Sequence, residues 1–244
     1  MGNVVLADVG RTEERSSEKL PCSEGCVRCC TDRGNPLELT AGDILRLCRQ
    51  LSIGAGDFYE RYCEIIWNRI PGTCLLVPSI GLIFPCRFLE SGRCAVYDVR
   101  PIHCRLFPEG LVVDNNNMDI YRNCGYRCID KGIKPAMVKK PYIHRLKDID
   151  NRELKTTASY FDNFNYCVEL KPEEVKRAGS FLANVDYMEK AAKRRQIYTG
   201  AIDKKMRGTV ESVFMKKVCK LDAKFPEGDR GYLSVISKPF RAFG

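Results

Sequence analysis

The sequence predicts a mainly α chain in two parts: a small, irregular, hairpin-containing α+β domain rich in cysteine, then a helical C-terminal extension. Three observations carry that prediction. Twelve of the 14 cysteines precede residue 133, and only Cys167 and Cys219 follow it. Charge divides at the same place: residues 1–132 hold 16 Lys/Arg against 17 Asp/Glu, and residues 133–244 hold 24 against 14. Apolar residues in the last 110 or so positions recur at helical spacing. The expected division is therefore a loose arm over 1–20, a cysteine-cluster domain over 21–132 and a basic helical extension over 133–244.

Composition bounds the rest. With 244 residues, 44% hydrophobic and 29% charged, the chain is of ordinary globular type and long enough for one sizeable core or two small ones. No run of about 18 apolar residues is present, so no membrane span is expected. The start, Met1-Gly2-Asn3-Val4-Val5-Leu6-Ala7-Asp8, is too short in apolar residues and too soon acidic for a secretory signal. The expected location is cytoplasmic. In that reducing compartment the cysteines read as metal ligands or redox thiols, not disulfides.

Each element has a local reason. Residues 1–20 are polar and read as a free arm. Thr40 is placed to N-cap a helix, with Asp43 at the capping-box position and Ile44, Leu47, Cys48 and Leu51 forming its apolar stripe. A second helix is expected over about 56–68, with Phe58, Tyr62, Ile65 and Ile66 on its inner face. The stretch 75–84 reads as β, its Pro78 and Gly81 suiting a hairpin. Residues 85–108 read as irregular and ordered by whatever their cysteines bind. Pro172 with Glu173 and Glu174 marks a helix start, continued by Val175, Ala178, Phe181, Leu182, Val185, Met188 and Ala192. A last stripe runs Tyr198, Ile202, Met206, Val210, Val213, Phe214, Val218 and Leu221, with Gly200 and Gly208 as possible breaks.

The chemistry lies in the cysteine spacing. The pattern is Cys22-x3-Cys26-x2-Cys29-Cys30, then Cys86-x7-Cys94-x9-Cys104, then Cys124-x3-Cys128. Two or three residues between thiolates let one short loop wrap one metal or one face of a cluster, and both tetrahedral zinc and a [4Fe–4S] cluster take four such ligands. These nine are the candidate metal ligands, filling one site with spares or two sites with one spare. Cys29 and Cys30 are adjacent, so their side chains generally diverge. Cys48, Cys63, Cys167 and Cys219 read instead as small buried apolar residues; Cys74 is open between the two readings. His103, beside Cys104, is expected to point away from the ligands.

The segment resembles the YkgJ-type cysteine-cluster family (CxxxCxxCC type), described as a zinc- or iron-chelating domain. The resemblance rests on Cys22-Ser-Glu-Gly-Cys26-Val-Arg-Cys29-Cys30 and on Leu39-Thr40-x2-Asp43-Ile44-x-Arg46-Leu47. It rests also on Pro85-Cys86-Arg87-Phe88-Leu89, Gly92-Arg93-Cys94-Ala95-Val96-Tyr97 and Arg100-Pro101-x2-Cys104-Arg105-x-Phe107-Pro108. It spans roughly residues 20–130 and implies metal or cluster binding. Arg100 and Arg105 lie inside the motif and read as cofactor-binding groups that stand behind the ligands and offset thiolate charge. All-cysteine ligation suits either metal, and the reading favours an iron–sulfur cluster, with zinc as the alternative, in a redox or electron-transfer module.

The spacing of Cys22, Cys26 and Cys29 matches that of radical S-adenosylmethionine enzymes, but neither eight β/α units nor a glycine-rich cosubstrate strand follows. Members of the wider cysteine-cluster group have been linked to flagellin lysine methylation, which implies a protein lysine methylase or an iron–sulfur oxidoreductase as the enzymatic alternatives. Lys190, Lys193, Arg194, Arg195, Lys204, Lys205, Arg207, Lys216, Lys217 and Lys220 crowd the later helices. Residues 171–220 are therefore expected to dock an acidic protein partner, ahead of nucleic acid. No phosphate loop, Gly-x-Ser-x-Gly or His-Glu-x-x-His occurs, and with two histidines in all, acid–base catalysis centred on histidine is not expected.

Overall fold

A computed structural model describes residues 27–31, 37–70, 73–107, 140–162, 166–169, 198–199 and 202–224. The expected arm over 1–20, Cys22, Cys26, Cys124, Cys128 and the helix expected from Pro172 lie outside those residues, as does the expected boundary at 132/133. The described elements, in chain order, are α1 (Arg28–Thr31), β1 (Leu37–Glu38), α2 (Ala41–Leu51), α3 (Ala55–Tyr62), β2 (Cys63–Arg69), β3 (Leu75–Leu82), β4 (Leu89–Glu90) and β5 (Arg93–Cys94). They continue with a 3-10 turn (Tyr97–Val99), α4 (Ile102–Leu106), α5 (Lys140–Phe161), β6 (Val168–Glu169), β7 (Tyr198–Thr199), α6 (Lys204–Val218) and α7 (Leu221–Lys224).

The fold class is mixed α/β, not mainly α. Among the described residues 58% are helix and 19% strand, in two small sheets, too large a strand share for the expected class. The larger sheet is built on β3. All seven residues of β2 pair antiparallel with β3, from Cys63 opposite Leu82 to Arg69 opposite Leu76. On the other edge of β3, β1 pairs near its end and β6 near its beginning, and β7 extends the sheet parallel to β6.

Two expectations fail for one reason. The helix expected over 56–68 stops at Tyr62, and the remaining residues form β2. The stretch expected to be a hairpin over 75–84 is instead one continuous strand whose partner is β2. Ile65, Ile66 and Trp67 are β-branched or aromatic residues that suit a pleated surface. Paired with β3, they put Ile65 and Trp67 on one face and Ile66 and Asn68 on the other. Gly81 permits this fit: a Cβ there would meet Ile66 Cγ2 at 2.6 Å.

One sheet face carries Leu37, Cys63, Ile65, Ile80 and Leu82, buried against α2, α3 and α6. Helix α2 forms as its sequence dictates: Thr40 is the N-cap, and Asp43 completes the capping box. Ile44, Leu47 and Cys48 are buried and Leu51 packs against the same core. In α6, Val210, Phe214 and Val218 are buried, as their spacing predicts, and exposed Gly208 does not interrupt the helix. Tyr198, expected in that stripe, lies in β7. Helix α7 adds buried Leu221, and its Asp222 accepts the Ala55 N–H at 3.0 Å, capping α3 where Gly54 has no side chain to do so.

The opposite sheet face is polar for a buried surface, holding Glu38, Asn68 and Ser79. Asn68 donates to Glu38 at 3.2 Å. Alongside, the buried positions of α5 run Ile143, Leu146, Asp150, Glu153, Thr157, Ala158 and Phe161, a helical stripe that is apolar at its ends and polar in its middle. Phe161 stacks on Phe214 at 5.2 Å, and Tyr160 donates from its hydroxyl to the Lys217 carbonyl at 2.9 Å, so α5 also holds α6.

Candidate metal centre

Five of the nine candidate ligands are among the described residues, and four separate pieces of chain present them. Cys29 and Cys30 lie on α1. The Cys86 N–H donates to the Cys30 carbonyl at 2.7 Å, so the turn after β3 is tied directly to α1. Cys94 ends the β4–β5 hairpin, opposite Leu89. That hairpin turns through Ser91 and Gly92, both at positive φ (47° and 77°), as a two-residue turn between antiparallel strands requires. Cys104 is the third residue of α4. Phe88, Val96 and Ile102, each buried, plug the intervening loops into the core. Cys86, Cys94 and Cys104 are left half-buried against its edge.

The thiols feel one another. The Cys30 thiol is pushed far above its ordinary value, first by its hydrogen bond with Cys29, then by burial, then by negative charge at Cys29, Cys86 and Cys104. Cys94 is also raised, by burial and by Cys29, against the opposing pull of a backbone hydrogen bond at Val96 and of the Arg100 guanidinium. Such a group of thiols does not ionise in part-apolar surroundings without a cation to share the charge. These couplings reach further than a bond of about 2.3 Å from sulfur to metal. Among the described residues, no three Cys, His, Asp or Glu side chains converge closely enough to hold an ion by themselves.

Residues 21–129 match the family model CxxCxxCC, described as a "putative zinc- or iron-chelating domain". This segment is similar to the CxxCxxCC domain. No curated protein and no solved structure matches the chain. The resemblance drawn from the motifs over roughly 20–130 thus holds for the segment that carries them.

The donor set of the CxxCxxCC domain suits a thiophilic metal. Its gathered groups are all sulfur, and the nearest histidine is engaged elsewhere. His103 is buried, with Nδ1 3.2 Å from the Glu38 carbonyl and Nε2 3.2 Å from the Asp150 carboxylate. Burial disfavours its charge, but Asp150, Glu38 and Asp43 outweigh that and push its pKa up to about 9. His103 therefore faces away from the cysteines, as its place beside Cys104 suggests.

The two motif arginines brace the loops of the domain. Arg100 lies 3.7 Å over the Tyr97 ring and donates from Nε to the Tyr97 carbonyl at 3.0 Å. Arg105 donates from Nη2 to the Asp98 carbonyl at 2.6 Å. Of the cysteines read as apolar, Cys48, Cys63 and Cys167 are buried, and burial pushes Cys48 up to about 12. Cys219 departs from that reading. It caps the end of α6 and is exposed.

Sequence reading missed the partners that the CxxCxxCC domain finds on α5. Thr40 Oγ1 accepts the Asp43 N–H at 3.0 Å and donates its proton to Glu153. Thr157 Oγ1 accepts the Ala41 N–H at 2.9 Å. Arg46 bridges Glu153 and Asp43, each at 2.6 Å. Asp150, Glu153 and Thr157 at helical spacing between Ile143, Leu146 and Phe161 are the available signal: polar residues inside an apolar stripe need buried partners.

Proposed function

We propose that this chain holds an iron–sulfur cluster of the [4Fe–4S] type, with zinc as the alternative metal, and acts as a redox or partner-docking module. The ligands are drawn from Cys22, Cys26, Cys29, Cys30, Cys86, Cys94, Cys104, Cys124 and Cys128. The observation that carries the reading is the gathering of five thiols from α1, the turn after β3, β5 and α4 at one edge of the core. When bound, the metal supplies charge neutralisation of the thiolates and, for a cluster, an electron-transfer centre. Arg100 and Arg105 offset the remaining negative charge. Anaerobic purification followed by iron, acid-labile sulfide and zinc analysis tests it. Stoichiometric iron and sulfide are expected, and protein with no stoichiometric metal of either kind refutes the reading.

The docking half rests on α6 and the turn after it, where Lys204, Lys205, Arg207, Lys216 and Lys220 are exposed. Lys217 is occupied by Asp162 at 2.8 Å. This face suits an acidic protein partner, attracted through charge that salt screens. Labelled polyglutamate should bind more tightly than duplex DNA of equal charge, and lose affinity as salt rises. Tighter binding of the DNA would favour a nucleic-acid interface instead. No helix among the described residues is long and apolar enough to cross a membrane.

A further inference from the structure

We propose that Asp43 is a positioning residue for Cys104, and that Arg46 and Glu153 hold it in that role. The inference rests on the reading of Cys104 as a metal ligand. The Asp43 carboxylate is fully buried and accepts three hydrogen bonds. Oδ2 takes the Thr40 N–H at 3.1 Å, closing the capping box of α2. Oδ1 takes Arg46 Nη2 at 2.6 Å and the Ile102 N–H at 3.0 Å.

The last of these is the link to the site. Ile102 is the first residue of α4, and its N–H is one that the helix cannot satisfy internally. Cys104 lies two residues on, in a helix of five residues. So short a helix is marginal by itself, and its direction is set by what holds its first turn. Pro101 precedes it and offers no side-chain cap, so Asp43 performs that task from α2.

Asp43 is fixed in turn from the far side. Arg46 spans Asp43 and Glu153, and Glu153 also receives the Thr40 hydroxyl proton. Burial pushes the Glu153 carboxyl up, and Arg46 opposes that shift first by its charge and then by its hydrogen bond. A carboxylate on α5 thereby fixes the arginine that fixes the aspartate that holds the helix of Cys104. This chain of contacts runs from residue 153, beyond the CxxCxxCC match, to the edge of the cysteine cluster.

The test compares full-length wild type with Asp43→Asn, Glu153→Gln and a core control, Val218→Ala. In metal-free, reduced protein, alkylation by iodoacetamide is followed at Cys104, Cys86 and Cys94 by peptide mass spectrometry. Asp43→Asn should speed alkylation of Cys104 about fivefold, the population shift expected from one lost hydrogen bond, with Cys86 and Cys94 unchanged. Glu153→Gln leaves Asp43 in place and should act on the same cysteine by about twofold, which keeps the test decisive should Asp43→Asn fail to fold. On cobalt(II) loading, thiolate-to-cobalt absorption per ion should fall by about one part in four in Asp43→Asn. An unchanged Cys104 rate, or a rise at all three cysteines like that in Val218→Ala, overturns the proposal. If wild type takes up no cobalt, the zinc alternative fails while the alkylation pattern still decides the positioning role.

Discussion

Glu38 shows at the scale of one residue what the buried polar face costs. It sits in β1 opposite Gly81, and only 6% of it is exposed. Burial pushes its carboxyl up to about 7, while Ser79 and His103 pull the other way and Asp150 adds to the rise. The native pKa lies above the unfolded one. Stability from the protonated carboxyl is therefore complete below the unfolded value of about 4.5 and lost as pH climbs through about 7. Glu38→Gln keeps an oxygen for the Asn68 amide and removes the titration. Urea melts at pH 5 and pH 8 should show wild type losing about 1–3 kcal/mol relative to Glu38→Gln over that interval. A constant difference between the two proteins would show that the carboxyl titrates at its unfolded value. His103 stays charged through most of this range, its pKa being about 9. None of this is legible in the sequence: nothing local in Leu37-Glu38-Leu39 says that the polar side is covered.

Elements divide into those whose reasons are local and those whose reasons are not. The start of α2 is local. Thr40 and Asp43 are three residues apart, so the capping box can be read directly, and it forms. The stripe Val210, Phe214, Val218 and Leu221 is local too, and those residues are buried. The end of α3 is not. Phe58, Tyr62, Ile65 and Ile66 fit one helical face as sequence. The run from Cys63 onward is strand because β3 offers an edge and Gly81 clears room for Ile66. Pairing partners 7 to 19 residues apart override periodicity whenever the same residues satisfy both patterns. The cysteine loops behave differently again. Their spacing makes them legible as ligand loops, but the order of 85–107 comes from Phe88, Val96 and Ile102 entering the core. That segment is a hairpin, a 3-10 turn and a short helix, more regular than its composition suggests.

The molecule as a whole joins its front to a helix from its back. Helix α5 lies beyond the CxxCxxCC match, yet it supplies the acceptor for the Ala41 N–H, the counter-charge for Arg46 and the carboxylate partner of His103. Without α5, Thr40, Arg46 and His103 would each lose a buried partner, and such losses cost about 1–3 kcal/mol apiece, more for charged groups. Three of them approach the whole stability of a small domain, about 5–15 kcal/mol. A fragment of residues 1–139 keeps every cysteine of the cluster motif and all of the matched segment. It should nevertheless lack a cooperative thermal transition, while the full chain shows one by circular dichroism at 222 nm. Adding metal to the fragment separates two contributions. If α5 is integral to the fold, metal restores at most a weak transition. If the fragment alone melts cooperatively within about 3 °C of the full chain, a shift that corresponds to about 1 kcal/mol for a domain of this size, the contacts at Thr40, Arg46 and His103 contribute little and the front is self-sufficient. A fragment that fails to melt cooperatively would show that the unit of folding extends across the charge change near residue 133 to at least Phe161.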